Sequence, residues 1–191
     1  MSPMPRRARA FTLIELLMAI AILAVLCSLG VPAFGSLAGR AHGRNTRTEL
    51  VTALNQARLA AVMQRARTSA CPSRDQQQCV RTTEWHHGWI VFADRDRDGL
   101  RSAGEPLLAI NQGQPGGVAI LSTAGRLHVD YRPDGSVGGT NLTLTVCDRQ
   151  AGAAEARAVV VNQAGRVRQG TASPAAAEGC LRAAAARGGE A

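Results

Sequence analysis

Phe11-Thr12-Leu13-Ile14-Glu15-Leu16-Leu17-Met18-Ala19-Ile20-Ala21-Ile22-Leu23-Ala24-Val25-Leu26-Cys27-Ser28-Leu29-Gly30 holds a single charge, Glu15, in twenty residues. As a helix the run is about 30 Å long, enough to cross a hydrocarbon core once. Arg6, Arg7 and Arg9 just before it predict a cytoplasmic N-terminus. A cleaved secretory signal ending near Ser36-Leu37-Ala38 would share these ingredients. Glu15 argues against it, because a carboxylate in an apolar segment costs roughly 3 kcal/mol on insertion scales and calls for a partner. A freshly exposed amine on a neighbouring subunit would be a suitable cation.

Ala10 followed by Phe11-Thr12-Leu13-Ile14-Glu15-Leu16 resembles the cleavage site of the type IV pilins and pseudopilins. The resemblance implies a leader of residues 1–10, removed by a prepilin peptidase between Ala10 and Phe11, and methylation of the new N-terminus at Phe11. It implies further that Glu15 meets the N-terminal amine of a neighbouring subunit during assembly. Ala10 stands where the family usually has Gly, and Pro32 matches the family's helix-kinking proline.

Outward from this segment, residues 11–38 form the transmembrane and assembly helix, and residues 39–68 its amphipathic continuation. From Arg40 to Arg67 there is no Pro, and good helix formers dominate. Leu50, Leu54, Ala57 and Ala61 share one stripe; Arg40, Arg44, Arg47, Arg58 and Arg65 share an adjoining one, read as a solvated or filament-facing edge. Residues 69–191 read as a β-rich periplasmic domain. Its candidate strands are residues 89–92, 107–110, 118–121, 127–131, 142–146 and 158–161, with turns at 113–117, Pro133-Asp134-Gly135, Gly138-Gly139 and Gln163-Ala164-Gly165. Beyond Thr171, Ala, Gly and Ser dominate, and a loosely ordered tail is expected. The fold class is α+β, a long helix packed on an antiparallel sheet, which is also what a type IV pilin fold looks like.

More narrowly, Gly88-Trp89-Ile90-Val91-Phe92-Ala93-Asp94, Asp98-Gly99, Gly104-Glu105-Pro106, Pro133-Asp134-Gly135, Cys147, Gly165-Arg166-Val167-Arg168 and Cys180 resemble the GspH/FimT branch of pseudopilins. That resemblance implies a minor pilin or pseudopilin partnered by other subunits. In FimT-type members the Gly-Arg-x-Arg motif is associated with binding DNA during natural transformation, which here implicates Gly165, Arg166 and Arg168. The residues alone leave two readings. Alternate positions on an extended strand point the same way, so the two guanidinium groups suit neighbouring phosphates; they equally suit a charge-protected sheet edge. Arg149, Arg157 and Arg182 would extend the patch.

The chain has 191 residues and a formal net charge of +8, and all 22 of its basic residues are Arg. Without the Arg residues of the leader, 19 Arg face 14 acids, leaving +5. Such a charge permits nucleic-acid contact without requiring it. Only 3% of residues are aromatic, so any DNA binding would be electrostatic, salt-sensitive and sequence-independent. Cys27 reads as a small buried residue of the apolar helix. Cys71, Cys79, Cys147 and Cys180 allow three pairings; in an oxidising periplasm the pairs Cys71 with Cys79 and Cys147 with Cys180 are favoured. His86 and His87 are adjacent rather than spaced for zinc.

Residues 94–105 fit the twelve-residue calcium-loop pattern, with Asp94, Asp96, Asp98 and Glu105 at positions one, three, five and twelve and Gly99 at six. Three Arg dilute the loop, and the same letters make a hairpin turn whose Asp side chains bond backbone amides. No cofactor is expected apart from this calcium alternative. There is no nucleophile motif or phosphate loop, so an enzyme is not expected. Three readings remain: a minor pilin that contacts double-stranded DNA, a type II secretion pseudopilin working by protein contacts alone, and a calcium-stabilised periplasmic binding domain. The chain recovered from the inner membrane is expected to begin at N-methylated Phe11; intact-mass spectrometry finding Met1, or a start after Ala38, would overturn that assignment.

Overall fold

A computed structural model describes residues 13–187 apart from Pro115, without the side chains of residues 29–33 and 36. Ala10, Phe11 and the Pro32 side chain therefore lie outside the described residues. Helix α1 spans Leu13–Gln64. Its C-terminus closes with Arg65 in the left-handed region, φ 49°, while the Ala66 N–H donates to the Ala61 carbonyl. That is a Schellman-type ending made without the usual glycine. In its first half Leu13, Leu16, Leu17, Met18, Ile20, Ile22 and Leu23 are all more than half exposed. Apolar surface facing every direction marks a helix that needs an apolar surrounding. The described side chains of this half are interrupted after Ser28 and resume at Phe34, and among the described residues no helix is long and apolar enough to cross a membrane. Cys27, expected to be buried, is exposed on this stretch.

The second half packs through the stripe read from the sequence: Leu50, Leu54, Ala57 and Ala61 are all fully buried. They meet two four-stranded antiparallel sheets where one was expected. Sheet 1 has the order β3-β2-β1-β5, from β1 (Thr68–Pro72), β2 (Gly88–Ala93), β3 (Leu107–Gln112) and β5 (Val129–Tyr131). Sheet 2 has the order β4-β6-β7-β8, from β4 (Val118–Ser122), β6 (Leu142–Asp148), β7 (Arg157–Val161) and β8 (Val167–Thr171). β1 and β8 escaped the reading of the sequence, since neither Thr-Ser-Ala-Cys-Pro nor Val-Arg-Gln-Gly-Thr contains an apolar run.

Side chains alternate between two covered faces. In sheet 2, Ile120, Leu142, Leu144, Val146, Val159 and Val161 turn toward α1, whereas Ala119 and Cys147, with Ala156 just before β7, join a second cluster. That second face is sealed by helix α2 (Pro174–Arg187), through Ala177, Cys180 and Ala184. The loosely ordered tail is thereby corrected. Ser173 caps the helix through its hydroxyl on the Ala176 N–H, Pro174 occupies its first turn, and buried small residues recur at helical spacing. The Cys147–Cys180 disulfide, Cα–Cα 6.1 Å, fastens α2 to β6. In sheet 1, Ala70, Trp89, Val91 and Tyr131 face α1, while Cys71, Ile90 and Phe92 face outward beneath the loop closed by the Cys71–Cys79 disulfide.

The segment before β2 staples the two sheets together. Trp85 N–H donates to the Ile120 carbonyl, Glu84 bridges Leu121, and the Gln114 N–H donates to the His86 carbonyl. His86 is 2% exposed, and burial, reinforced by the nearby Arg187 charge, pushes its imidazole down to about 4. The unfolded chain binds that proton near pH 6.5 and the folded chain does not, so stability falls as pH drops from 6.5 toward 4, by at most about 1.4 kcal/mol per unit. Equilibrium unfolding between pH 7 and pH 4 is expected to show this decline, and His86→Gln should flatten it; an unchanged slope in the variant would remove His86 as the cause.

Candidate functional site

Arg168 lies on β8, the outer strand of sheet 2, and Arg166 immediately precedes that strand. Val167 between them packs toward the core, so both arginines leave by the opposite face, and both are exposed. Among the described residues neither guanidinium has a hydrogen-bond or ion-pair partner. The strand is presented by a turn in which the Gly165 N–H donates to the Asn162 carbonyl and Asn162 Oδ1 accepts the Arg166 N–H.

Gly165 has a different task from its two neighbours. Its φ is +73°, and a Cβ there would overlap the Gly135 carbonyl oxygen. The turn at Gly135 and the turn at Gly165 are thus pressed together, joined also by the Val137 N–H on the Gln163 carbonyl. Arg58 of α1 fastens both: Nε donates to the Gly135 carbonyl at 3.0 Å and Nη2 to the Ala164 carbonyl at 3.1 Å. Arg58, placed by the sequence on a solvated stripe, is a structural clamp. Arg40 of the same stripe lies 3.8 Å from Glu155. The adjoining turns add one cation that sequence reasoning missed, the exposed Arg132 beside Pro133. Only the recurrence of two Gly turns could have hinted at it.

Arg149, Arg157 and Arg182 do not extend the patch. Arg157 faces Thr171 at the far end of the β7–β8 pair, and its guanidinium donates to the Ala154 and Ala156 carbonyls. Arg149 follows β6 at that same far end, and Arg182 rides on α2 over β4 and β6. Sequence proximity to Arg166 misled because β6 and β7 run antiparallel.

A second cluster sits on the outer face of sheet 1. Asp94 immediately follows β2, Asp130 lies on β5 directly opposite Ser69 of β1, and Ser69 Oγ is 2.7 Å from Asp94 Oδ2 and 2.7 Å from Asp130 Oδ1. His128 Nε2 stands 3.1 Å from Asp130 Oδ2. That hydrogen bond holds the imidazole above its ordinary value. Burial alone would raise the Asp130 carboxyl, but the bonds from His128 and Ser69 outweigh it and hold it below the usual range. Burial pushes Asp94 upward. The β2–β3 loop folds back over this face, since a Cβ on Gly99 would come within 3.0 Å of the His128 ring.

Glu105 closes that loop from inside. Its Oε1 accepts the Arg95 N–H at 2.6 Å and its Oε2 the Ser102 N–H at 3.0 Å. Carboxylate oxygens of Asp94, Asp96 and Asp98 lie within 4.8 Å of one another, as do ligand atoms of Glu84, His86 and His87. Glu15, the expected assembly residue, is exposed near the start of the described part of α1.

Residues 46–165 match the family model described as Type II transport protein GspH, and residues 5–31 match the prokaryotic N-terminal methylation motif. No curated protein matches the chain. Among solved structures, the type IV minor pilin FimU of Pseudomonas aeruginosa shares the fold in two crystal forms. One is 21% identical over 69% of this chain and 94% of that one, with TM-score 0.50; the other is 20% identical over 69% and 89%, with TM-score 0.51. The minor pseudopilin EpsH from the type 2 secretion system of Vibrio cholerae aligns over 67% of this chain and 95% of its own at 12% identity and TM-score 0.48.

Gly165→Ala must both adopt a left-handed backbone and displace the Gly135 carbonyl, and is expected to cost about 2 kcal/mol or more. Arg166→Gln and Arg168→Gln, on the open surface, should stay within about 0.5 kcal/mol of the parent. Denaturant midpoints for the three variants check this; a neutral Gly165→Ala would refute the packed-turn account.

Proposed function

The chain belongs to the family of type II transport protein GspH, and from that membership we propose that it is a minor pilin-like subunit. It is made as a prepilin, cut by prepilin peptidase before Phe11 and methylated there. Residues 11–38 then hold it in the inner membrane with the domain of residues 69–191 in the periplasm, ready to join a type IV pilus or a type II secretion pseudopilus. The matched methylation motif supports the processing steps. The outward-facing apolar side chains of the first half of α1 support a bilayer, and afterwards a bundle of other subunits, as surroundings. The two disulfides suit an oxidising compartment.

Within that role the subunit binds double-stranded DNA through Arg166 and Arg168 in DNA uptake. The observation carrying this reading is the pair of exposed guanidinium groups on one face of an outer strand, with Arg132 on the adjoining turn. Such a surface grips phosphates and reads no bases, since no aromatic ring stands beside it for stacking among the described residues. The competing role is secretion through protein contacts alone, supported by membership in the type II transport protein GspH family.

The detergent-solubilised full chain is expected to bind duplex DNA with an affinity that falls steeply with salt. Arg166→Gln with Arg168→Gln should weaken it at least tenfold and lower the slope of log K against log salt by about 2. Absence of binding at low salt, or binding indifferent to the double substitution, would leave the subunit to secretion.

A further inference from the structure

We propose that the β2–β3 loop binds one calcium-sized divalent cation through Asp94, Asp96 and Asp98. Three acidic residues on a loop would not justify this alone. The decisive feature is Asp94, which is 1% exposed and whose Oδ1 has no hydrogen-bond partner. The Arg97 amide lends its charge some support without completing a bond to that oxygen. Its Oδ2 is held by Ser69 on β1, so Oδ1 is the oxygen left to serve the loop; one carboxylate oxygen from each of Asp94, Asp96 and Asp98 lies within 4.8 Å of the others.

Proton accounting strengthens the case. The Ser69 hydroxyl has one hydrogen, yet its oxygen stands 2.7 Å from carboxylates of both Asp94 and Asp130. Asp130 has a second, close donor in His128, whereas beyond Ser69 Asp94 has only the weaker support of the Arg97 amide. Two carboxylates competing for one hydrogen in a buried seam leave an uncompensated acceptor, which a cation in the loop relieves. Arginines do not fill that place: Arg101 donates instead to the Glu105 and Gln77 carbonyls, and Arg95 and Arg97 are exposed.

The site differs from a full twelve-residue calcium loop at its last position. Both oxygens of Glu105 are fixed by backbone amides, Arg95 at 2.6 Å and Ser102 at 3.0 Å, so Glu105 shapes the loop and does not ligate. Asp96 is held by the Ser102 hydroxyl at 3.0 Å and only distantly by the Asp98 amide at 3.4 Å, and Asp98 by the Leu100 amide through Oδ1 alone, which leaves Asp96 Oδ1 and Asp98 Oδ2 for an ion. Three carboxylates, a backbone carbonyl such as that of Leu100 at position seven, and water would make up the oxygen shell. A shell with one carboxylate fewer places the affinity among weak modules, with a Kd of about 0.1–1 mM. Magnesium, which demands a tighter octahedron, should bind less well.

The test is calorimetric titration of calcium chloride into the chelator-stripped, detergent-solubilised full chain, with thermal unfolding in parallel. Saturable heat at one ion per chain is expected, with a Tm rise of a few degrees at about 10 mM calcium and at least tenfold weaker binding of magnesium. Asp96 and Asp98 are exposed, so Asp98→Asn, alone and together with Asp96→Asn, should preserve the near-ultraviolet dichroism while raising Kd at least tenfold. Absence of heat up to about 10 mM calcium overturns the proposal, as does a thermal shift that survives Asp98→Asn in a folded variant.

Discussion

One helical face has to cover two sheets. Leu50, Leu54, Ala57 and Ala61 are the residues of α1 that do so, two large side chains followed by two small ones, and that gradation governs the rest. An alanine on a helix permits a strand to approach closely, and a leucine fills a wider gap. With so few aromatic residues in the chain, Trp85, Trp89 and Tyr131 are concentrated beneath this face, where each covers the greatest area. Arg58, next to Ala57, then converts a packing contact into a directional one by fixing the turns at Gly135 and Ala164 against the helix.

The same economy explains the second layer. Sheet 2 is covered on both faces, yet the cover on the far side is built almost wholly from alanine and cysteine, side chains that bury little area apiece. A helix with so thin an apolar face gains little from burial alone, and the Cys147–Cys180 bond supplies what the packing lacks. The Cys71–Cys79 loop does the corresponding work over Ile90 and Phe92 on sheet 1.

Much of this was legible in the residues, for reasons that can be named. The α1 stripe and the strands of Trp89-Ile90-Val91-Phe92 and Leu142-Thr143-Leu144-Thr145-Val146 carry strong periodic or β-branched signals. α2 did not, because an Ala-rich stripe has almost no hydrophobic contrast; the Ser173-Pro174 start was its only distinct mark. β1 and β8 were hidden by polar letters that are tolerated at the end of a sheet or made acceptable by partners, as Ser69 is by two carboxylates. At the sites, Arg166 and Arg168 could be named from spacing, but the separate duty of Gly165 depends on Gly135, thirty positions away in the chain. The linkage of Ser69, Asp130 and His128 to the acidic loop likewise exists only once β1 and β5 pair.

The order of strands has a kinetic consequence. β4 belongs to sheet 2 but is made before β5, which completes sheet 1, so the two sheets are interleaved along the chain. Neither can finish as a separate unit, because closing sheet 1 requires the chain to leave it, lay down β4 and return to the edge of β1. Loop closures of this kind set a slow entropic step before native contacts reward it. The domain should accordingly behave as one cooperative block, with amide hydrogens of β1 and β6 exchanging through the same global opening and not through independent fluctuations of two halves.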